Sequence, residues 1–306
     1  MILCCGEALI DMLPRETAAG EPAFAPHAGG AVFNTAIALG RLGADTGFFT
    51  GLSDDLFGEI LAETLTASGV DAAPAHRSSR PTTLAFVKLV DGQATYAFYD
   101  ENTAGRMLSV DDLPILTDDV QALFFGGISL VPDPCGHAYE TLALRAARDR
   151  AVMIDPNIRP GFITDEPAYR ARIARMMAAA DIVKLSDDDL HWLAGPGDMA
   201  DLARGLLDTG PRLVCITEGA KGATGYTSRG QVSVAARRVS VVDTVGAGDT
   251  FNAGVLAALD DAGALSKSAL ADLPDAVVEQ ALQLGVQAAA ITVSRAGANP
   301  PTRAEL

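Results

Sequence analysis

Residues 121–127 (QALFFGG), 138–150 (AYETLALRAARDR) and 151–156 (AVMIDP) place a short β-rich apolar run, a longer Ala/Leu-rich run and a second β-rich run in succession. Length and residue type read them as strand, helix and strand. The same alternation extends outward from this unit. GFFTGL (47–52) precedes LFGEILAETLTASG (56–69), AVMIDP precedes AYRARIARMMAAA (168–180), and DIVKLS (181–186) precedes DLHWLAG (189–195). Repeated βαβ units predict an α/β fold with a mostly parallel central sheet and helices on both faces. One large domain over residues 1–306 accommodates the pattern. Ligands of such sheets bind outside the carboxyl ends of the strands, which singles out Asp11, Gly29, Gly30, Gly126, Gly127, Asp155, Asn157, Lys184, Thr217 and Asp243.

Two stretches interrupt the alternation. Residues 81–100 (PTTLAFVKLVDGQATYAFYD) have strand-like halves around Asp91-Gly92, a hairpin turn pair. The segment from Leu13 to His27 carries Pro14, Gly20, Pro22 and Pro26 and reads as an irregular excursion between the first strand, ended by Asp11, and a Gly-Gly turn. These predict a small inserted β lid, about residues 12–28 and 80–102, at the sheet's ligand edge. Residues 222–243 (GATGYTSRGQVSVAARRVSVVD) read as short strands forming an antiparallel edge, RRVSVVD (237–243) being the last.

The formal charge of −16 opposes nonspecific attraction to nucleic acid or to an anionic bilayer, so an anionic ligand has to be held locally. No apolar run of membrane-spanning length is read, and the N-terminus MILCCGEALIDML has no basic leader, which predicts a cytoplasmic chain. Cys4 and Cys5 are strand neighbours pointing to opposite faces; with Cys135 and Cys215 they are expected to be buried free thiols. The four histidines lack metal-ligand spacing.

The chemistry concentrates in DTVGAGDTFNAG (243–254). A dinucleotide fingerprint counted from Gly246 needs Gly or Ala at its sixth position, where Phe251 stands, and it belongs in the first βαβ unit. A Walker A loop needs Gly-Lys, a pair absent from the chain. What remains is a glycine turn opening a helix near Asp249, whose exposed N–H groups form an anion cradle. Asp249 is either a capping acid of that helix or the base that takes a hydroxyl proton during phosphoryl transfer.

DTVGAGDTFNAG resembles the C-terminal signature of the ribokinase-like (PfkB) carbohydrate kinases. GGAVFNTAIALGRLG (29–43) with GLSDDLFG (51–58) resembles their N-terminal one, and DPNIRP (155–160) and TEGAKG (217–222) follow in the family's order. The resemblance covers the whole chain and implies a ribokinase-like fold. It implies that Asp249 is the catalytic base, that Gly246, Ala247 and Gly248 form the anion hole, and that Asp11, Gly30 and Asn34 contact sugar hydroxyls. Gly30 serves equally for a turn and Asn34 for capping the helix nearby. The resemblance further implies that Thr217, Gly219, Gly222 and Lys184 face ATP. The family's N-x-x-E motif is replaced by Ser186 through Asp189, which reads either as a capping box or as a site placing Mg²⁺ through water. Relatives often bind a monovalent cation, K⁺, beside the turn, near Asp243 and the Val245 carbonyl; Asp243 otherwise anchors the loop.

DPNIRP is similar to the fructokinase and 2-keto-3-deoxygluconate kinase branches, with Arg159 clamping the transferring phosphoryl group or contacting sugar, or else forming a buried ion pair. Sugar-acid kinases resemble one another in an arginine after the flap's aromatic pair, and here Asp100 stands there, repelling a carboxylate. Arg106 lies close enough in sequence to restore acid binding. Tyr96, Phe98 and Tyr99 offer surface suited to a neutral ring. The expectation is an ATP- and Mg²⁺-dependent kinase acting on a terminal hydroxyl of a neutral sugar, D-fructose first. The alternatives are a 2-keto-3-deoxygluconate kinase and a catalytically idle sugar sensor. Exposed flap edges would suit a lid-to-lid homodimer.

Overall fold

The computed structural model describes the backbone of residues 1–90 and 93–306, and the side chains outside 88–90 and 93–96 within the two lid strands there. The Asp91-Gly92 turn and the Tyr96 side chain lie outside the described residues. The strands of the first half are β1 (Ile2–Cys5), β2 (Leu9–Glu16), β3 (Pro22–Gly29), β4 (Thr46–Phe49), β5 (Gly51–Ser53), β6 (Val70–Asp71), β7 (His76–Ser78), β8 (Leu84–Val90) and β9 (Gln93–Tyr99). Those of the second half are β10 (Ala122–Gly126), β11 (Ala151–Asp155), β12 (Ile182–Ser186), β13 (Leu213–Thr217), β14 (Gly222–Thr227) and β15 (Gly230–Ala235). The helices are α1 (Ala31–Arg41), α2 (Leu56–Ala67), α3 (Cys135–Ala146), α4 (Glu166–Ala179), α5 (Asp187–Ala194), α6 (Met199–Leu207), α7 (Ala247–Asp261), α8 (Lys267–Leu270) and α9 (Asp275–Val293).

Nine strands form the main sheet in the order β15-β14-β13-β12-β11-β10-β1-β4-β6. All neighbours from β13 to β6 are parallel, and β14 and β15 add an antiparallel edge. Strands covered on both faces must be apolar throughout, and β1, β4, β10 and β11 are buried along their whole length. Alternation within β1 sends Ile2 and Cys4 into one core with α1, α7 and α9, and Leu3 and Cys5 into the other with α3, α4 and α6. All four cysteines are buried and free.

A second sheet, β3-β2-β8-β9, is separate from the first and is built from the two segments expected to form the lid. Residues 13–27 are thus not an irregular excursion but most of a regular hairpin, in register from Leu9↔Gly29 to Glu16↔Pro22. The prolines are tolerated because β3 is an edge and β2 pairs with β8 only over Ile10–Met12, leaving Pro14 without a second neighbour. Asp11 accordingly lies on β2 of the lid rather than at the end of the first strand, since Gly6–Ala8 breaks the chain between the two sheets.

Two further differences matter. RRVSVVD is not a strand: β15 ends at Ala235, and the N–H groups of Val242 and Asp243 donate to the Val293 carbonyl at the end of α9 instead of to a ladder. The chain leaves the sheet there because it has to reach the start of α7. Helix α9, at 19 residues, is long and apolar enough to span a bilayer by length and composition. Its Val278, Ala281, Leu282 and Val286 are buried in the core beneath α7, the packing of an interior helix.

Candidate active site

The carboxyl ends of β1, β10, β11, β12 and β13, the lid strands β2 and β9, and the start of α7 enclose one cleft of about 610 Å³. It gathers Asp11, Gly30, Asn34 and Phe98 on the lid side. From the body it takes Arg159, Lys184, Asp189, Thr217 and Gly219, and from the turn Val245, Gly246, Ala247, Gly248 and Asp249. A second cavity of about 630 Å³ shares Thr217, Gly219, Thr244, Ala247 and Gly248 with it and continues over Gly222 between Val239, Val241, Val286, Ala289, Ala290 and Val293. The turn before α7 therefore stands between a polar chamber and a mainly aliphatic one. Asp243 lines neither.

Gly246 takes a left-handed φ of 79° as the N-cap of α7 and supplies no side-chain cap. The first-turn N–H groups stay available, apart from a long 3.4 Å bond from Ala247 N–H to the Thr244 carbonyl. Asp249, in this first turn, is 7% exposed. Asn34 Nδ2 donates to its Oδ2 at 2.9 Å. Burial drives the Asp249 carboxyl up to about 7; the Asn34 bond opposes the shift, and the Asp155 charge adds to it. The acid is thus poised near neutrality, where a carboxylate can accept a hydroxyl proton.

Asn34 reaches Asp249 because Gly30 turns the chain abruptly into α1. Gly30 has φ 112°, and a Cβ there would come within 2.8 Å of the Glu7 carbonyl oxygen. Asn34 is not a cap: it lies in the first turn of α1, behind the N-cap Gly30, with its amide turned to Asp249. Glu7 holds this turn, accepting from Ala31 N–H at 3.0 Å and from Ser129 N–H at 3.2 Å. Across the cleft mouth, burial raises the Asp11 carboxyl to about 6.

Lys184 is 4% exposed and its Nζ donates to Asp155 Oδ2 at 2.9 Å, an oxygen that also accepts from Asn252 Nδ2 at 2.7 Å. Arg159 is exposed at the cleft and donates to the Ile158 carbonyl at 3.0 Å; it is not in the buried ion pair that its sequence position allowed. The capping box at α5 is formed. Ser186 Oγ accepts from Asp189 N–H, while Asp189 Oδ2 accepts from Ser186 N–H and Oδ1 from Ile158 N–H. Asp243 braces its loop, accepting from Val245 N–H through Oδ1 and from Gly297 N–H through Oδ2.

Residues 1–305 match the pfkB family carbohydrate kinase model. The chain belongs to the pfkB family of carbohydrate kinases. It is 61% identical over 285 residues to a fructokinase of Rhizobium leguminosarum bv. trifolii, covering 93% of this chain and 86% of that one. The crystal structure of Xylella fastidiosa fructokinase with bound ATP superposes with a TM-score of 0.88 at 30% identity, covering 97% of this chain and 93% of the other. A double-mutant Vibrio cholerae fructokinase in its fructose-, ADP- and potassium-bound form superposes with a TM-score of 0.84 at 25% identity over 97% and 93% of the two chains.

As a carbohydrate kinase of this family, the chain has to seat a sugar hydroxyl beside a nucleotide phosphate, and the two joined cavities offer that arrangement. Sequence reasoning did not reach Glu7, Asn252 or the aliphatic chamber. Glu7 and Asn252 lie inside apolar stretches, and Val286, Ala289 and Val293 look like ordinary helix positions until α9 is placed beside the turn.

Proposed function

We propose that this protein is an ATP-dependent fructokinase transferring the γ-phosphoryl group to a terminal hydroxyl of D-fructose. One observation carries the reading: Asp249, buried and raised to about 7, stands with the open N–H groups of the α7 turn where the two cavities meet. In this reading the aliphatic chamber takes the adenosine moiety, with Gly219 and Gly222 allowing close backbone approach. The sugar lies between Asp11, Gly30, Asn34 and Phe98. Asp249 takes the hydroxyl proton, while the Gly246 to Asp249 amides, Lys184 and Arg159 meet the charge of the transferring group. The lid sheet excludes water as a competing acceptor.

Among the described residues no cluster of three acidic, His or Cys side chains forms a metal cage. Mg²⁺ keeps several waters and is commonly held by substrate phosphates with one or two carboxylates, and Asp189 in the cleft is the carboxylate placed to touch its water. When bound, the ion neutralises the β- and γ-phosphate oxygens. Each Asp243 oxygen accepts one N–H and keeps a further lone pair, so a K⁺ ion beside the turn would be held by Asp243 together with carbonyls such as that of Val245.

Fructose is favoured over a sugar acid because the spare cation is already engaged. Arg106 Nη1 lies 3.1 Å from Asp100 Oδ2, and its Nε donates to the Asp133 carbonyl. An intact Asp249 likewise argues against an idle sensor. The reading treats 1–306 as one domain with an inserted lid, places it in the cytoplasm in keeping with its free thiols, and allows pairing of two lids in a homodimer. A coupled ADP-release assay with fructose, ribose, glucose and 2-keto-3-deoxygluconate tests it. Fructose is expected to give the highest kcat/KM, and a preference for the sugar acid would overturn the branch assignment.

A further inference from the structure

We propose that Asp155 is a positioning residue for phosphoryl transfer, its carboxylate fixing the Lys184 ammonium against the anion turn and acting on the reaction through Lys184. The inference rests on the kinase reading above and adds to it the group that aims the lysine.

The pair is buried on both sides, with side-chain exposures of 5% for Lys184 and 2% for Asp155. A buried ion pair gives little or no net stability relative to apolar packing, so its presence at the carboxyl ends of β11 and β12 calls for another reason. The turn supplies it. A Cβ built on Gly248 would lie 3.2 Å from Lys184 Nζ, so the ammonium abuts the backbone whose N–H groups form the cradle. An ammonium has three donors, and among the described residues only one is used, on Asp155. The other two are free for phosphoryl oxygens.

Asp155 is held more firmly than a simple counter-ion requires. Its Oδ2 accepts from Lys184 and Asn252, and its Oδ1 accepts from Asn157 N–H at 3.1 Å. Asn157 takes a left-handed φ of 45°, a conformation non-glycine residues rarely adopt, and begins the turn that carries Arg159 into the cleft. Around Lys184, Asp155, Asp189 and Asp249 favour its charge and the Cys215 thiol packs nearby. Burial works against the ammonium, yet these carboxylates, Asp155 foremost, hold its pKa above the ordinary value.

The test is a double-mutant cycle on the full chain, with steady-state kinetics in ATP and fructose. Lys184→Met and Asp155→Asn are each expected to lower kcat on the order of 10²-fold, the loss associated with one charge-stabilising donor, with fructose KM within about threefold of wild type. The double variant is expected to match Lys184→Met alone, the signature of an Asp155 effect on transfer that runs through the lysine. Losses that multiply to about 10⁴-fold, or a change confined to fructose KM, would overturn the proposal. Should thermal unfolding show Asp155→Asn unfolded, Asn252→Leu takes its place. A loss of about tenfold that vanishes on the Lys184→Met background supports the proposal, and one that persists there refutes it. Wild-type protein without ATP-dependent transfer would overturn the kinase reading and this proposal together; active wild type with multiplicative losses overturns this proposal alone.

Discussion

In the proposed function Asp249 combines two demands that conflict in water, an acid beside an anion site and a base at neutral pH. Burial reconciles them by raising the carboxyl to about 7. Activity that needs the ionised form should fall as pH drops through about 7, and Asp249→Asn should lower kcat by ~10² to 10⁴ with fructose affinity largely kept. Turnover near wild type in that variant would end its assignment as the base. The stability consequence has the opposite sign to that of an ordinary paired aspartate. The folded state holds the Asp249 proton more tightly than the unfolded chain does, so this group's contribution declines as pH rises from the usual Asp range through about 7. Asp249→Asn should therefore be more stable than wild type at pH 8, as read by denaturant midpoints. The motif reading located this residue, but its pKa depends on Asn34 and on the surrounding core, partners from distant parts of the chain.

Two contacts between elements set the cleft. Phe98 on β9 meets Phe162, after β11, edge to face at a ring distance of 4.5 Å, joining lid to body. Phe98→Ala should raise the KM for fructose on the order of tenfold, with ATP hydrolysis in the absence of sugar increased; unchanged values of both would mean that the lid does not bear on the acceptor. Beneath the site, α7 and α9 approach at Gly254 and Gly285, where a Cβ on Gly254 would meet the Gly285 Cα at 2.6 Å. Gly254→Val should cost about 1–3 kcal/mol by overpacking and lower the melting temperature, displacing the turn that α7 carries. The βαβ alternation and the lid hairpin were readable because period and turn residues are local signals. Residues 237–243 read as a strand because valine-rich sequence favours extended backbone wherever it occurs, whereas their pairing is decided by the end of α9.

For the whole molecule, the charge of −16 means that an anionic nucleotide has to be held locally against the overall field, in the proposed function by the turn, Lys184 and Arg159. ATP with Mg²⁺ should raise the melting temperature, by the equivalent of about 2.7 kcal/mol at a hundredfold excess over Kd, and NAD should leave it unchanged. A shift with NAD would contradict the reading of the glycine turn. What the sequence by itself determined was the α/β architecture and the glycine turn that opens α7 with Asp249 in its first turn, since each rests on local periodicity or on residue types in fixed order. Tertiary structure alone decided that Asn34 bonds Asp249 rather than capping a helix, that Arg106 is engaged by Asp100, that Asp243 braces its loop, and that Asp155 aims Lys184 at the turn. The Asn34–Asp249 and Asp155–Lys184 pairs depend on which side chains the fold brings to one edge from positions 215 and 29 residues apart, and a buried polar group's partner is set by that proximity and not by its neighbours in sequence.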